Sequence, residues 1–314
     1  MKRMVVAFLS ILMMITAGCS SDSVQSGDEK ETNDSTISIT DFSDRTIDFG
    51  QTPEKIVSLG NGETDIIYAL GEDVVGRPTG DPVIDESKDA LEVGSTHSVD
   101  LEKITSLEPD IVLGNHPMNT NDVQAIESIG SEMILTSANS VNDIKKQVTL
   151  LGDLFDKGEK SDEIIQHIDE KIDQIEADLP DEKPRVLLVY GAPGTNMAAL
   201  PNSLSGDILE LAGGENIASD YPSLDAYPQY AQLNTERIIE SNPQFILLMS
   251  HGNPEEVKDS FIEDMSNTAG WNELDAVKQD NFIILPADLF GTNPGTKVVD
   301  ALDYLHELLI ETQE

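Results

Sequence analysis

The sequence holds one cysteine, Cys19, and only 19 lysines and arginines against 59 aspartates and glutamates in 314 residues. A single cysteine excludes an internal disulfide and any cysteine-built zinc cluster. A formal charge of −40 repels phosphate backbones, so no nucleic-acid partner is expected. Aromatic residues are scarce at 5%, yet hydrophobic residues still reach 39%, too many for a disordered acidic chain. The longest apolar run, residues 4–15, falls short of the about 20 residues that a membrane-spanning helix needs. The enzyme signatures GxSxG, HExxH and Gly-x-x-x-x-Gly-Lys-Ser/Thr are missing, which speaks against a secreted enzyme. The GAPG turn at 191–194 lacks the phosphate-loop spacing and its lysine. What remains is a chain long enough for roughly two domains, each with its own core.

Lys2 and Arg3 precede the apolar run, and Thr16-Ala17-Gly18 leads out of it to Cys19. A basic start, a short apolar stretch and a small-residue exit read as a cleaved export signal over residues 1–18. The segment resembles a bacterial lipobox, with Thr16 where Leu is usual. That resemblance makes Cys19 the lipidated mature N-terminus; a plain secretory signal with an incidental cysteine is the alternative. Residues 19–36 are polar and small, a flexible tether that cannot build a core. Cleavage removes two basic residues and no acid, leaving −42. The expected location is extracytoplasmic, anchored by lipid to the outer face of the cell membrane without spanning it.

The rest of the chain repeats one plan. Residues 55–59 predict a strand, followed by a helix to Leu70 stopped by Gly71, a helical turn or two at 101–107, Pro109 and a strand at 111–113. From Pro184 the same order returns: strand 185–190, helix 207–211, helix 235–240, Pro243 and strand 245–249. Pro109 follows Glu102, and Pro243 follows Glu236, at the same spacing of seven, and each last strand runs on to a histidine, His116 or His251. Buried strands alternating with helices imply an α/β fold of two similar lobes with mostly parallel sheets. Residues 37–158 are expected to form the N-terminal lobe and residues 181–314 the C-terminal lobe. Residues 159–180, with an apolar stripe of Ile164, Ile168, Ile172 and Ile175 and Ser161 as N-cap, are expected as one long interlobe helix.

The segments PEKIVSLGNGETDIIYALGEDVVGRP, VGSTHSVDLEKITSLEPDIVL, SGDILELAGGENI and LNTERIIESNPQFILL resemble the iron-complex and cobalamin class of ABC-transporter substrate-binding proteins across residues 50–312. The resemblance implies two lobes joined by a long helix, ligand in the cleft between them, modest closure, and a monomeric, non-enzymatic protein. It also implies that Glu102 and Glu236 dock onto arginines of the membrane permease. Independently of it, each acid favours its helix N-terminus through the dipole.

PRVLLVYGAPG, AGGENI and HGNPEEV make the C-terminal half most similar to the haem-receptor lipoproteins of the Gram-positive iron-regulated surface determinant system. This implies haem as transported ligand and His251 as one axial ligand to its iron. Aligning VGSTHSVDLEKI places His97 where those receptors carry Met, so a Met/His pair becomes His/His. Two neutral imidazoles suit a carrier, because they leave iron no open position. His116 is the rival to His97, since it ends a strand and mirrors His251 in the repeat. His167 and His306 read as structural. Tyr190 ends its strand near the cleft and either stacks on a flat ligand or only packs. Arg77 is the expected partner of a haem propionate. The alternative cargo is a ferric hydroxamate siderophore or cobalamin; free zinc or manganese is disfavoured for want of a His/carboxylate cluster.

Overall fold

The computed structural model describes residues 36–192, 195–250 and 253–311, so Cys19 and His251 lie outside the described residues. In the first lobe five strands lie in the order Leu91–Glu92, Gly76–Arg77, Ile56–Ser58, Ile111–Asn115 and Glu132–Thr136, every neighbouring pair parallel. Side chains alternate between the two faces: Ile56, Ile111, Leu113 and Ile134 enter one apolar cluster, and Val57, Val112, Met133 and Leu135 the other. Helices cover both faces, Asn61–Ala69 and Val141–Leu154 on one side and Leu101–Leu107 and Val123–Ser128 on the other. This is why the strands read as unbroken apolar runs.

The second lobe is built on Arg185–Ala192, which pairs in parallel with Phe245–Ser250 and Glu215–Asn216; Phe282–Ile284 extends the parallel part. On the other side Thr195–Ala199, Tyr227–Gln232 and Ser223–Leu224 continue the sheet antiparallel. The expected parallel pairing thus describes the first sheet and the centre of the second. The antiparallel wing carries mixed sequences such as YPQYAQ, in which no apolar run marks a strand.

The sequence repeat is a structural one. Leu101–Leu107 is capped by the Asp100 side chain, which accepts from the Lys103 N–H, and ends on Glu108 at φ 49°. Thr235–Ser241 is capped by Asn234, which accepts from the Arg237 N–H, and ends on Asn242 at φ 43°. Ile104 and Ile238, four residues past each cap, are fully buried and pin the two helices alike.

The long helix is Gly158–Ala177, 20 residues and about 30 Å at 1.5 Å per residue. Its N-cap position is Lys157, not Ser161. Ser161 lies inside the first turns, buried against Gly152, and donates to the Val148 carbonyl. Asp156 at φ 55° turns the chain sharply after the preceding helix, so the new helix starts a turn earlier than its sequence suggests. Ile164 packs against the apolar clusters of both lobes, while Ile168 and Ile175 belong to that of the second.

A second connection runs through residues 293–297. Asn293 Nδ2 donates to Gln147 Oε1 at 3.2 Å, and Asp65 Oδ2 accepts from the Thr296 N–H at 2.6 Å and its hydroxyl at 2.7 Å. Gly62 allows this approach, since a Cβ there would collide with the Asn293 side chain. The C-terminal helix Val298–Glu311 then packs on the second lobe. No helix among the described residues is long and apolar enough to cross a membrane.

Candidate functional site

In α/β sheets ligands gather outside the carboxyl ends of parallel strands. Arg77 closes one such strand, His116 follows Asn115 at the end of another, and the hairpin of Gly94–Ser95 and Ser98–Val99 follows Leu91–Glu92 and carries His97 at its turn. The structure therefore brings His97, His116 and Arg77 to one edge of the first sheet. Tyr190 lies at the corresponding edge of the second, in register with Met249. The strand leading to His251 ends at Ser250.

His97 is exposed and its N–H donates to Ser95 Oγ at 3.3 Å. Gly94 makes this hairpin possible at φ 100°, where a Cβ would collide with the Ser98 carbonyl. His116 is half-buried; its N–H donates to the Thr136 carbonyl at 2.7 Å, and its Nδ1 lies 3.5 Å from Thr120 Oγ1. The His116–Pro117 bond is cis, and Met118 beside it is exposed.

Arg77 differs from its sequence expectation. Its side chain is only 8% exposed, with Nη1 donating to the Pro78 and Gly80 carbonyls at 2.9 and 2.7 Å and Nη2 to Glu92 Oε1 at 3.0 Å. A buried guanidinium with three hydrogen bonds to its own lobe holds that loop in shape rather than offering itself to a carboxylate in the cleft. The loop in turn holds the hairpin: the Thr79 N–H donates to the Gly94 carbonyl at 2.8 Å, and the Gly94 N–H donates to Thr79 Oγ1 at 3.2 Å.

Tyr190 is half-buried against Tyr230, with ring centroids 5.2 Å apart, and Tyr227 on the same antiparallel strand as Tyr230 is 57% exposed. Burial, then the neighbouring phenol of Tyr227, raises the Tyr190 hydroxyl above its ordinary pKa; burial and Tyr190 push that of Tyr230 up to about 12. Both phenols stay protonated. They offer ring faces and O–H groups, not phenolate oxygens.

Glu102 and Glu236 are exposed and occupy the same second position of their helices. Arg237 beside Glu236 pairs with Asp220 at 2.9 Å and lies over the Tyr221 ring. His306 is buried with Nδ1 3.1 Å from the Ala212 carbonyl, which fits a structural role. His167 borders a cavity of about 430 Å³ between the long helix and residues 296–300, remote from the strand ends.

Sequence reasoning missed three features of the edge. Tyr230 lies on the unrecognised antiparallel wing. Glu63 is buried at the start of Asn61–Ala69, with Thr136 Oγ1 2.5 Å from Oε1. Burial raises its carboxyl pKa, outweighing the hydrogen bond. Asn119, fully buried, lies between the His116 turn and the His97 hairpin, where its Nδ2 donates to the Thr96 carbonyl at 3.0 Å. The only sequence signal for it is an Asn four residues after Asn115 in a proline-bearing turn.

Among known proteins, the chain is 28% identical over 244 residues to the high-affinity heme uptake system protein IsdE of Staphylococcus aureus, covering 77% of this chain and 82% of that one. The crystal structure of S. aureus IsdE complexed with heme superposes with a TM-score of 0.72 at 27% identity, covering 82% of this chain and 98% of the other. An ABC transporter substrate-binding protein from Listeria monocytogenes superposes with a TM-score of 0.71 at 29% identity, covering 83% and 100%. Residues 56–289 match the periplasmic binding protein family, and with its two α/β lobes joined by one long helix the chain belongs to that family.

Proposed function

We propose that the chain is the extracytoplasmic substrate-binding component of an ABC importer, not an enzyme, and that its cargo is haem. The observation that carries the haem reading is the gathering of His97 and His116 at the carboxyl edge of the first sheet, in a chain similar to a heme uptake protein. A neutral imidazole is a good donor to haem iron, and a histidine from each lobe, His251 with His97 or its rival His116, would fill both axial positions and leave none for oxygen. The Tyr190–Tyr230 pair and exposed Tyr227 offer ring faces to a flat macrocycle. Their raised phenol pKa values oppose their use as phenolate ligands.

Glu102 and Glu236, equivalent and exposed, are proposed to meet basic residues of the permease, and Cys19 to carry the lipid anchor on the outer face of the cell membrane. The protein is taken as a monomer. Titration of the purified full chain with hemin tests the cargo. A six-coordinate low-spin absorbance spectrum, lost in His251→Ala and in His97→Ala or His116→Ala, is the expected result. Unimpaired binding in a variant lacking all three histidines would refute iron ligation by this set. Absence of hemin binding, with tight uptake of a ferric hydroxamate or of cobalamin, would reassign the cargo.

A further inference from the structure

Asn119 spends its whole amide on two loops. Its Oδ1 accepts from the Asn115 N–H at 2.9 Å, while its own N–H donates to the Asn115 carbonyl at 2.7 Å; together these close the turn that begins with His116. Its Nδ2 donates one hydrogen to Asp122 Oδ2 at 2.9 Å and the other to the Thr96 carbonyl at 3.0 Å. An amide has one acceptor oxygen and two N–H donors, and all are used. The Oδ1 bond serves the His116 turn alone. The Thr96 bond adds nothing to that turn: it reaches 23 residues back in sequence to the residue before His97. The base of the His97 hairpin is already held by Thr79. Asn119 therefore fixes its tip. A fully satisfied buried network of this kind selects one arrangement of its parts.

We propose that Asn119 is the positioning residue of the ligand site: by tying the His97 hairpin to the His116 turn it sets where the first-lobe imidazole, that of His97 or of its rival His116, meets the haem iron. This rests on the haem reading, and the test separates the two. Asn119→Asp keeps the acceptor for Asn115 but faces Asp122 and the Thr96 carbonyl without a donor. Adding Asp122→Asn gives residue 119 a donor from position 122, so that N119D/D122N keeps that bond and the one to Asn115 while the Thr96 carbonyl faces an acceptor instead of a donor. Asn119→Ser, which keeps an acceptor near Asn115 without reaching Thr96, replaces it if the double variant fails to fold.

Two measurements are made on the full chain in detergent. Without ligand, amide exchange at residues 95–99 is expected to quicken about tenfold, with Phe245–Ser250 unchanged. With hemin, dissociation is expected to quicken about 10- to 100-fold with a changed low-spin spectrum, and to quicken no further when His97→Ala is added. Exchange at 95–99 equal to that of the parent overturns the proposal. So does quickened exchange with unchanged hemin dissociation and spectrum. A parent chain that takes up no hemin refutes the haem reading instead, and exchange alone then decides whether Asn119 couples the loops.

Discussion

Replacing both Glu102 and Glu236 by glutamine removes two charges while leaving side-chain size almost unchanged. Each acid sits at the second position of a seven-residue helix, beside N–H groups that carry about half a positive charge. Among the described residues neither carboxylate has an ion-pair partner, so the dipole is the main interaction lost. An exposed acid at that position contributes about 0.3–1 kcal/mol. The double variant should therefore lose about 0.6–2 kcal/mol, a fall of a few degrees in Tm at about 2–4 °C per kcal/mol. Hemin affinity should not change, since both carboxylates are exposed and neither belongs to the histidine set proposed to ligate the iron. If both acids also meet permease cations, uptake should fall at least about tenfold, the equivalent of about 1.4 kcal/mol of docking. The assay is accumulation of labelled hemin by cells that depend on this importer, alongside Tm and hemin titration of the purified chain. Full uptake with the Tm lowered as calculated would refute docking and leave two helix-end charges.

Glu63→Gln should change the pH dependence of stability. The folded carboxyl pKa lies above its ordinary value, so its contribution is greatest below that value and is lost as pH rises through the folded one; the glutamine chain should gain on the parent across that window, and parallel urea-derived stability curves from pH 4 to pH 8 would contradict it. Thr296→Val removes the hydroxyl donor to the buried Asp65 carboxylate and should cost about 1.5–3 kcal/mol in urea unfolding; a loss within about 0.5 kcal/mol would mean that the bond does not hold the C-terminal segment. Gly94→Ala forces a side chain into left-handed backbone and against the Ser98 carbonyl. It should destabilise the chain by about 1–3 kcal/mol and weaken hemin binding, and an unchanged Tm would show that the hairpin tolerates another path.

The repeated helices were legible in the sequence because they depend on local chemistry: an Asx cap, an apolar residue four positions on, and a proline that starts the next strand. Their ends were less so. Asn242 is a residue type that favours left-handed backbone, but Glu108 is not, and only the close of its helix forces it there. The long helix was readable from its isoleucine stripe, whereas its start was not, since Ser161 looks like a cap until Gly152 and Val148 are seen to receive it. At the site, His116 and Tyr190 could be placed at strand ends from the order of elements, whereas His97 was placed only through the family resemblance. What Arg77 and Asn119 do depends on Glu92 and Thr96, partners 15 and 23 residues away that no local pattern announces.

The chain leaves the first lobe along the long helix, builds the second, and at residues 293–297 returns to touch Asp65 and Gln147 before ending on the second lobe. It is a closed circuit rather than two beads on a string. Cutting it at the helix would carry Thr296 away with the second fragment and strand the Asp65 carboxylate in a buried site without its two donors. Neither fragment is then expected to be a free-standing module, and grafting one lobe onto a relative to exchange cargo would have to carry this returning segment along. The line that divides the two lobes is not a line along which the protein can be taken apart.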